Sequence, residues 1–121
     1  MVVKTAFLTV HGGPEQGMTL LLGAKAAGIG RASDNDVIIQ SPTVSRHHAR
    51  VTETQFGFVL RDLDSTNGTY VNGRKIPAIG YLLSSGDKIR LGLSQAPIIF
   101  RQDSTISVVL ETNSLAYASA A

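Results

Sequence analysis

Apolar residues fall in short runs separated by turn-forming clusters. Val3–Val10 is mostly apolar and rich in β-branched residues, and the His11-Gly12-Gly13-Pro14 cluster after it ends a strand. A hairpin to Met18–Leu22 follows. Gly23, Gly28 and Gly30 bracket Ala24–Ala27 too closely for a helix, so Ala27–Arg31 reads as a short strand. Asp36–Ile39 is the next strand, across a Ser33-Asp34-Asn35 loop that leaves Arg31 at a strand end. Pro42 lacks an N–H and makes Gln40–Val44 a connection rather than a central strand.

Ala49–Thr54 and Phe58–Leu63 form two further strands around Gln55-Phe56-Gly57, with Val59, and Phe58 or Leu60 beside it, directed to the core. Asn67-Gly68 and Asn72-Gly73 tolerate the positive φ that tight hairpin turns require, which leaves room for a very short strand over Thr69–Val71. Lys75-Ile76 and Tyr81–Leu83 are short strands, and Ser84–Asp87 is a turn. Lys88–Leu91 alternates polar and apolar with period 2, and Pro97–Phe100 closes the set. About eleven short strands without an amphipathic helix predict an all-β sandwich or barrel. Residues 1–102 read as one domain. Residues 103–121 read as a carboxy-terminal extension or linker, with one more strand available over Ser104–Glu111.

Composition narrows the chemistry. The 121 residues suffice for one domain with a real core, and cysteine is absent, which removes disulfides, thiolate nucleophiles and Cys-based zinc sites. Eleven Lys and Arg, interspersed with nine Asp and Glu, leave a charge of +2, not the footprint of a general nucleic-acid binder. No apolar run reaches membrane-spanning length and none resembles a signal peptide, so a soluble cytoplasmic protein is expected.

Two polar signatures stand out, Ser45-Arg46-His47-His48-Ala49 and Asp64-Ser65-Thr66-Asn67-Gly68-Thr69, with Ile29-Gly30-Arg31 upstream. Arginine offers a planar fork of charged N–H donors, Ser and Thr hydroxyls add more, and Asn both donates and accepts. That set suits a phosphate carried on a peptide. His47 and His48 are neighbours on a strand edge and face opposite ways, with no Cys or third His nearby, so no metal is expected. A Ser45–His48 hydrolase paired with Asp62 or Asp64 lacks a nucleophile elbow. The glycines around Ala24–Arg31 lack the Gly-Lys-Ser/Thr ending of a nucleotide loop. No catalytic residue and no cofactor are assigned.

Gly30-Arg31, Ser45-x-x-His48, Ser65-Thr66-Asn67-Gly68-Thr69-x-Val71-Asn72-Gly73 and Gly86-Asp87-x-Ile89-x-Leu91-Gly92, in this order and at these distances, resemble the forkhead-associated (FHA) domain family over roughly Thr5–Arg101. The resemblance implies a sandwich of two antiparallel sheets and a non-catalytic module binding phosphothreonine peptides in Ser/Thr-kinase signalling. It implies phosphate contacts from Arg31, Ser45, Arg46 and Thr66, and a peptide-backbone contact from Asn67. Structural roles fall to Gly30, His48, Gly68, Asn72 and Gly73, and sequence selection to Thr43, Ser94 and Gln95. The partner is then a phosphothreonine-containing protein, not nucleic acid or a membrane, and the chain is open to continuation in a larger polypeptide. The alternative is a phosphate-independent scaffold that packs within its own protein or on another copy.

Overall fold

The computed structural model describes the backbone of residues 2–106 and the side chains of residues 5–103. Eleven strands follow in chain order: β1 (Val2–Val10), β2 (Thr19–Leu22), β3 (Ala27–Gly30), β4 (Val37–Ile38), β5 (Ala49–Thr54), β6 (Gly57–Asp62), β7 (Thr69–Val71), β8 (Arg74–Lys75), β9 (Tyr81–Leu82), β10 (Lys88–Leu91) and β11 (Ile98–Ile106). No helix lies among the described residues. One sheet runs β2-β1-β11-β10-β7-β8 and the other β4-β3-β5-β6-β9.

All the strand pairings are antiparallel except β3 with β4, where Ile29 faces Val37 and Gly30 faces Ile38 in parallel. The 31–36 connection makes this possible by folding back on its own strand: the Asp36 N–H donates to the Gly28 carbonyl, and the Gly28 N–H to the Asp36 carboxylate at 2.8 Å. Arg31 is thereby held at the end of β3.

The inner faces follow the period of 2. Leu8 and Val10 of β1, Ile89 and Leu91 of β10, and Ile98 and Phe100 of β11 meet Ile29, Ala49, Val51 and Leu60 of the opposite sheet, all buried. Phe58 and Phe100 join the layers with ring centroids 5.9 Å apart and a 55° tilt.

One expectation fails here. Val59 pairs with Thr52 and Leu82 on the outer face and is half-buried, whereas Phe58 and Leu60 point inward. All three residues are apolar, so periodicity within the run does not decide which face goes in. The register with β5 does, because it aligns Leu60 with the buried Val51.

β11 continues past Phe100 to Ile106 against the whole length of β1, reaching Val2 opposite Ile106. Residues 104–106 of the strand expected after Ser104 are therefore the end of β11, and the remainder lies outside the described residues.

The inward and outward assignments on β6 make a stability prediction. Leu60→Ala should cost about 2–5 kcal/mol in urea unfolding, and Val59→Ala, on the outer face, under about 1.5 kcal/mol; equal losses would contradict this register.

Candidate functional site

Three connections converge at one end of the sandwich: residues 31–36 after β3, 39–48 before β5, and 63–68 between β6 and β7. The Arg31 N–H donates to the Ser45 carbonyl at 3.0 Å and the Ala32 N–H to the Arg46 carbonyl at 3.1 Å, so the first two loops are laced by main chain. Gly30 permits that approach, since a Cβ there would stand 2.3 Å from the Arg46 carbonyl oxygen. Asn35 adds a clamp, its amide donating to the carbonyls of Ala32 (2.9 Å) and Arg46 (2.7 Å).

His48, fully buried, connects the second loop to the third. Its Nδ1 accepts the Ser45 N–H at 2.9 Å, which assigns the ring proton to Nε2, and Nε2 donates to the Gly68 carbonyl at 2.8 Å. Both ring nitrogens are committed to backbone, so neither serves as a base for the Ser45 hydroxyl. His47 points the other way, exposed and paired with Asp34 at 2.9 Å. That hydrogen bond, with the charge of His47, holds the Asp34 carboxyl below its ordinary value.

What the rim presents is mostly donors. The Arg31 Nε donates to the Val44 carbonyl at 2.9 Å, which fixes the plane of the guanidinium, and the other N–H groups of the fork meet no acceptor among the described residues. The Ser45 Oγ accepts the Thr66 N–H at 3.2 Å, leaving its own proton to donate. Thr66 and Arg46 are exposed, and neither side chain is engaged by a described residue. Arg31, Ser45, Arg46 and Thr66 thus arrive at one place from three loops.

Asn67 is held beside them by its amide, which donates to the Thr43 carbonyl at 2.9 Å. The Thr43 hydroxyl accepts the Leu93 N–H at 3.1 Å, and the Gly92 N–H reaches the Gly68 carbonyl at 2.8 Å, so the 92–97 loop joins on the Thr43 side. There Ser94 is buried with its Oγ on the Ala96 N–H, while Gln95 is exposed. Asn72 and Gly73 lie apart from the rim in the β7–β8 turn at φ 52° and 86°, and the Asn72 side chain ties Asp87 and the Lys88 N–H.

The turn that presents Thr66 and Asn67 hangs on Asp62, a residue the motifs did not nominate for the site. Its carboxylate accepts the Ser65 N–H (2.9 Å), the Ser65 hydroxyl (2.5 Å) and the Thr69 hydroxyl (2.6 Å). Partial burial pushes this carboxyl up, but the Ser65 and Thr69 hydrogen bonds, with His48 nearby, outweigh it and hold the group below its ordinary value. The Asp-x-x-Ser spacing at 62–65 is the local signal that points to it.

A family model described as the FHA domain matches residues 28–92. The chain belongs to the FHA domain family. Among curated proteins it is similar to the oxoglutarate dehydrogenase inhibitor of Corynebacterium jeikeium, 38% identical over 88 residues, which is 73% of this chain and 60% of that protein. It is also similar to the glycogen accumulation regulator GarA of Mycolicibacterium smegmatis, 36% identical over 88 residues, 73% of this chain and 54% of that protein. The chain therefore spans 60% or less of the length of these two curated relatives. Among solved structures, EmbR of Mycobacterium tuberculosis in complex with a low-affinity phosphopeptide superposes with a TM-score of 0.68 at 35% identity, over 80% of this chain and 24% of that one. An FHA domain with phosphothreonine-dependent interactions gives 0.70 at 34% identity, over 80% and 95%.

The Asp62 network makes the fold sensitive to acid. A carboxyl whose pKa is depressed by folding contributes stability that is complete above its unfolded value, near 3.8, and is lost as pH falls through the lower folded value. Asp62→Asn should therefore be less stable than wild type at neutral pH, with the gap narrowing below about pH 4; a gap in urea midpoints independent of pH would remove Asp62 from this role.

Proposed function

We propose that the rim is a phosphothreonine-peptide site and that the chain is a non-catalytic recognition module in Ser/Thr-kinase signalling. The observation that carries this reading is the meeting of Arg31, Ser45 and Thr66 from three separate loops, with most of the guanidinium fork and two hydroxyl protons still free to donate. A phosphate dianion supplies the missing acceptors, with roughly −1.5 to −2 charge and three strong acceptor oxygens. An unmodified threonine hydroxyl leaves the charged fork without a match, and that difference is the switch.

Each residue has a distinct part. Arg31 pairs with the dianion through the N–H groups that Val44 does not occupy, Ser45 and Thr66 donate hydroxyls, and Arg46 adds a second positive charge. Asn67, with one N–H on Thr43, aligns the peptide main chain through its remaining groups, while Thr43, Ser94 and Gln95 border the region that reads neighbouring residues. The complex of the EmbR relative with a phosphopeptide supports the same ligand class. Relatives named as an inhibitor and a regulator support a binding rather than a catalytic role. The module runs to the end of β11 at Ile106, past the boundary expected at 102, and the residues after it are its extension, in a soluble cytoplasmic setting. No helix among the described residues is long and apolar enough to cross a membrane.

Calorimetry with a phosphothreonine peptide selected from an oriented library tests the assignment. Arg31→Ala should weaken binding by about 2–5 kcal/mol, and affinity should fall as pH drops below the second phosphate pKa, near 6. Unchanged affinity in Arg31→Ala, or equal binding of the unphosphorylated peptide, would reject it.

A further inference from the structure

The outer face of β6 and β9 takes no part in the rim, yet it carries an apolar patch. Phe56, Ile79 and Leu82 are 77%, 79% and 50% exposed. Leu82 of β9 pairs across the sheet with the half-buried Val59 of β6. Gly57 lies beneath Leu82, since a Cβ there would stand 3.3 Å from the Leu82 Cδ1, and Phe56 precedes it at the end of the patch. Gly80 sets the Ile79 end onto β6, where a Cβ would stand 2.9 Å from the Val59 Cγ1 and 3.1 Å from the Arg61 Cγ.

Both ends are already built. The Phe56 N–H donates to the Thr54 hydroxyl at 3.1 Å, and that hydroxyl donates to the Gly57 carbonyl at 2.8 Å. The Gly80 N–H reaches the Pro77 carbonyl at 3.0 Å. Apolar side chains collected on a formed surface, with polar groups beside them, mark a contact site more often than scattered ones do.

Arg61 supplies the polar group. Its Nε donates to the Ile79 carbonyl at 3.1 Å, which lays the guanidinium beside β9, and the other N–H groups meet no acceptor among the described residues. Arg50 stands directly opposite Arg61 on β5, a like-charge pair that is unfavourable until an anion comes near. Neither arginine forms an ion pair with a described carboxylate. The outward positions of β5, β6 and β9 hold Arg50, Thr52, Thr54, Val59, Arg61 and Leu82, with no acid among them. An arginine with open N–H groups among apolar side chains has the make-up of an interface centre. Charge then decides the occupant. A second copy stacked on this face would set arginine against arginine, whereas a different protein bringing a carboxylate would match it.

We propose that the outer face of β6 and β9 is a second docking surface, which takes a segment of a partner protein that combines apolar side chains with an Asp or Glu. The apolar groups cover Val59, Ile79 and Leu82, and the carboxylate meets the open side of the Arg61 guanidinium. This contact needs no phosphate.

The test measures fluorescence anisotropy on the whole chain. The probes are short unphosphorylated peptides in which Leu and Val flank one position filled with Glu, Gln or Lys. Wild type should favour Glu over Lys about ten-fold, and Arg61→Glu should reverse that order. Ile79→Ser, at an exposed position, should weaken binding of all three peptides and leave the urea midpoint and phosphothreonine-peptide affinity unchanged. Failure of every peptide to bind wild type overturns the proposal, as does a preference that Arg61→Glu leaves in place. Displacement of the probe by a phosphothreonine peptide also overturns it, because the probe then sits at the rim. A wild-type dimer in sedimentation that Ile79→Ser converts to monomer assigns the face to a second copy and overturns it as well. None of these outcomes bears on the phosphopeptide reading, which the Arg31→Ala calorimetry tests by itself.

Discussion

A single buried imidazole sets the geometry of the rim. His48 accepts the Ser45 N–H on one nitrogen and donates to the Gly68 carbonyl from the other, and the same carbonyl also receives the Gly92 N–H. One side chain and one carbonyl thus fix the spacing of the 39–48, 63–68 and 92–97 segments. The ring has no exposure to solvent, so each of its polar atoms needs an internal partner, and those partners are main-chain groups of two different loops. Asp62 performs a parallel service within the third loop by collecting donors from Ser65 and Thr69. The donors aimed at solvent are backed by acceptors aimed inward.

Much of the architecture could be read from residue order because turns punctuate it so densely. Asn72-Gly73 takes positive φ at both residues, and Lys88–Leu91 alternates faces as its pattern requires. Two features were hidden for physical reasons. Within Phe58-Val59-Leu60 every residue is apolar, so the inward face was settled only by pairing with β5. The second half of β11, Arg101–Ile106, is polar by composition and extends because β1 supplies a partner along its whole length. Its strand character belongs to the sheet.

The candidate site divides in the same way. Arg31, Ser45, Thr66 and Asn67 were nominated by motif order, and the fold gathers them at one rim. Asn35 and Asp62 were not nominated for it, because Asn and Asp in polar loops are ordinary and acquire meaning only through the groups around them. For Asn35 these are two carbonyls, and for Asp62 three donors. The reverse also holds: Asn72 and Gly73, sharing a motif with Asn67, belong to a different part of the molecule and brace the turn into β10.

The lacing of the 31–36 loop to residues 45 and 46, tightened by Asn35 and made possible by Gly30, has a kinetic meaning. A binding surface whose loops are already tied to one another surrenders little chain entropy on engagement, so complex formation proceeds without a slow folding or rearrangement step. On the proposed phosphopeptide reading, encounter is governed by diffusion and by the pull of the arginines on an anion, and varies little among anionic partners. The lifetime of each complex, rather than the speed of its formation, becomes the quantity through which the protein ranks them.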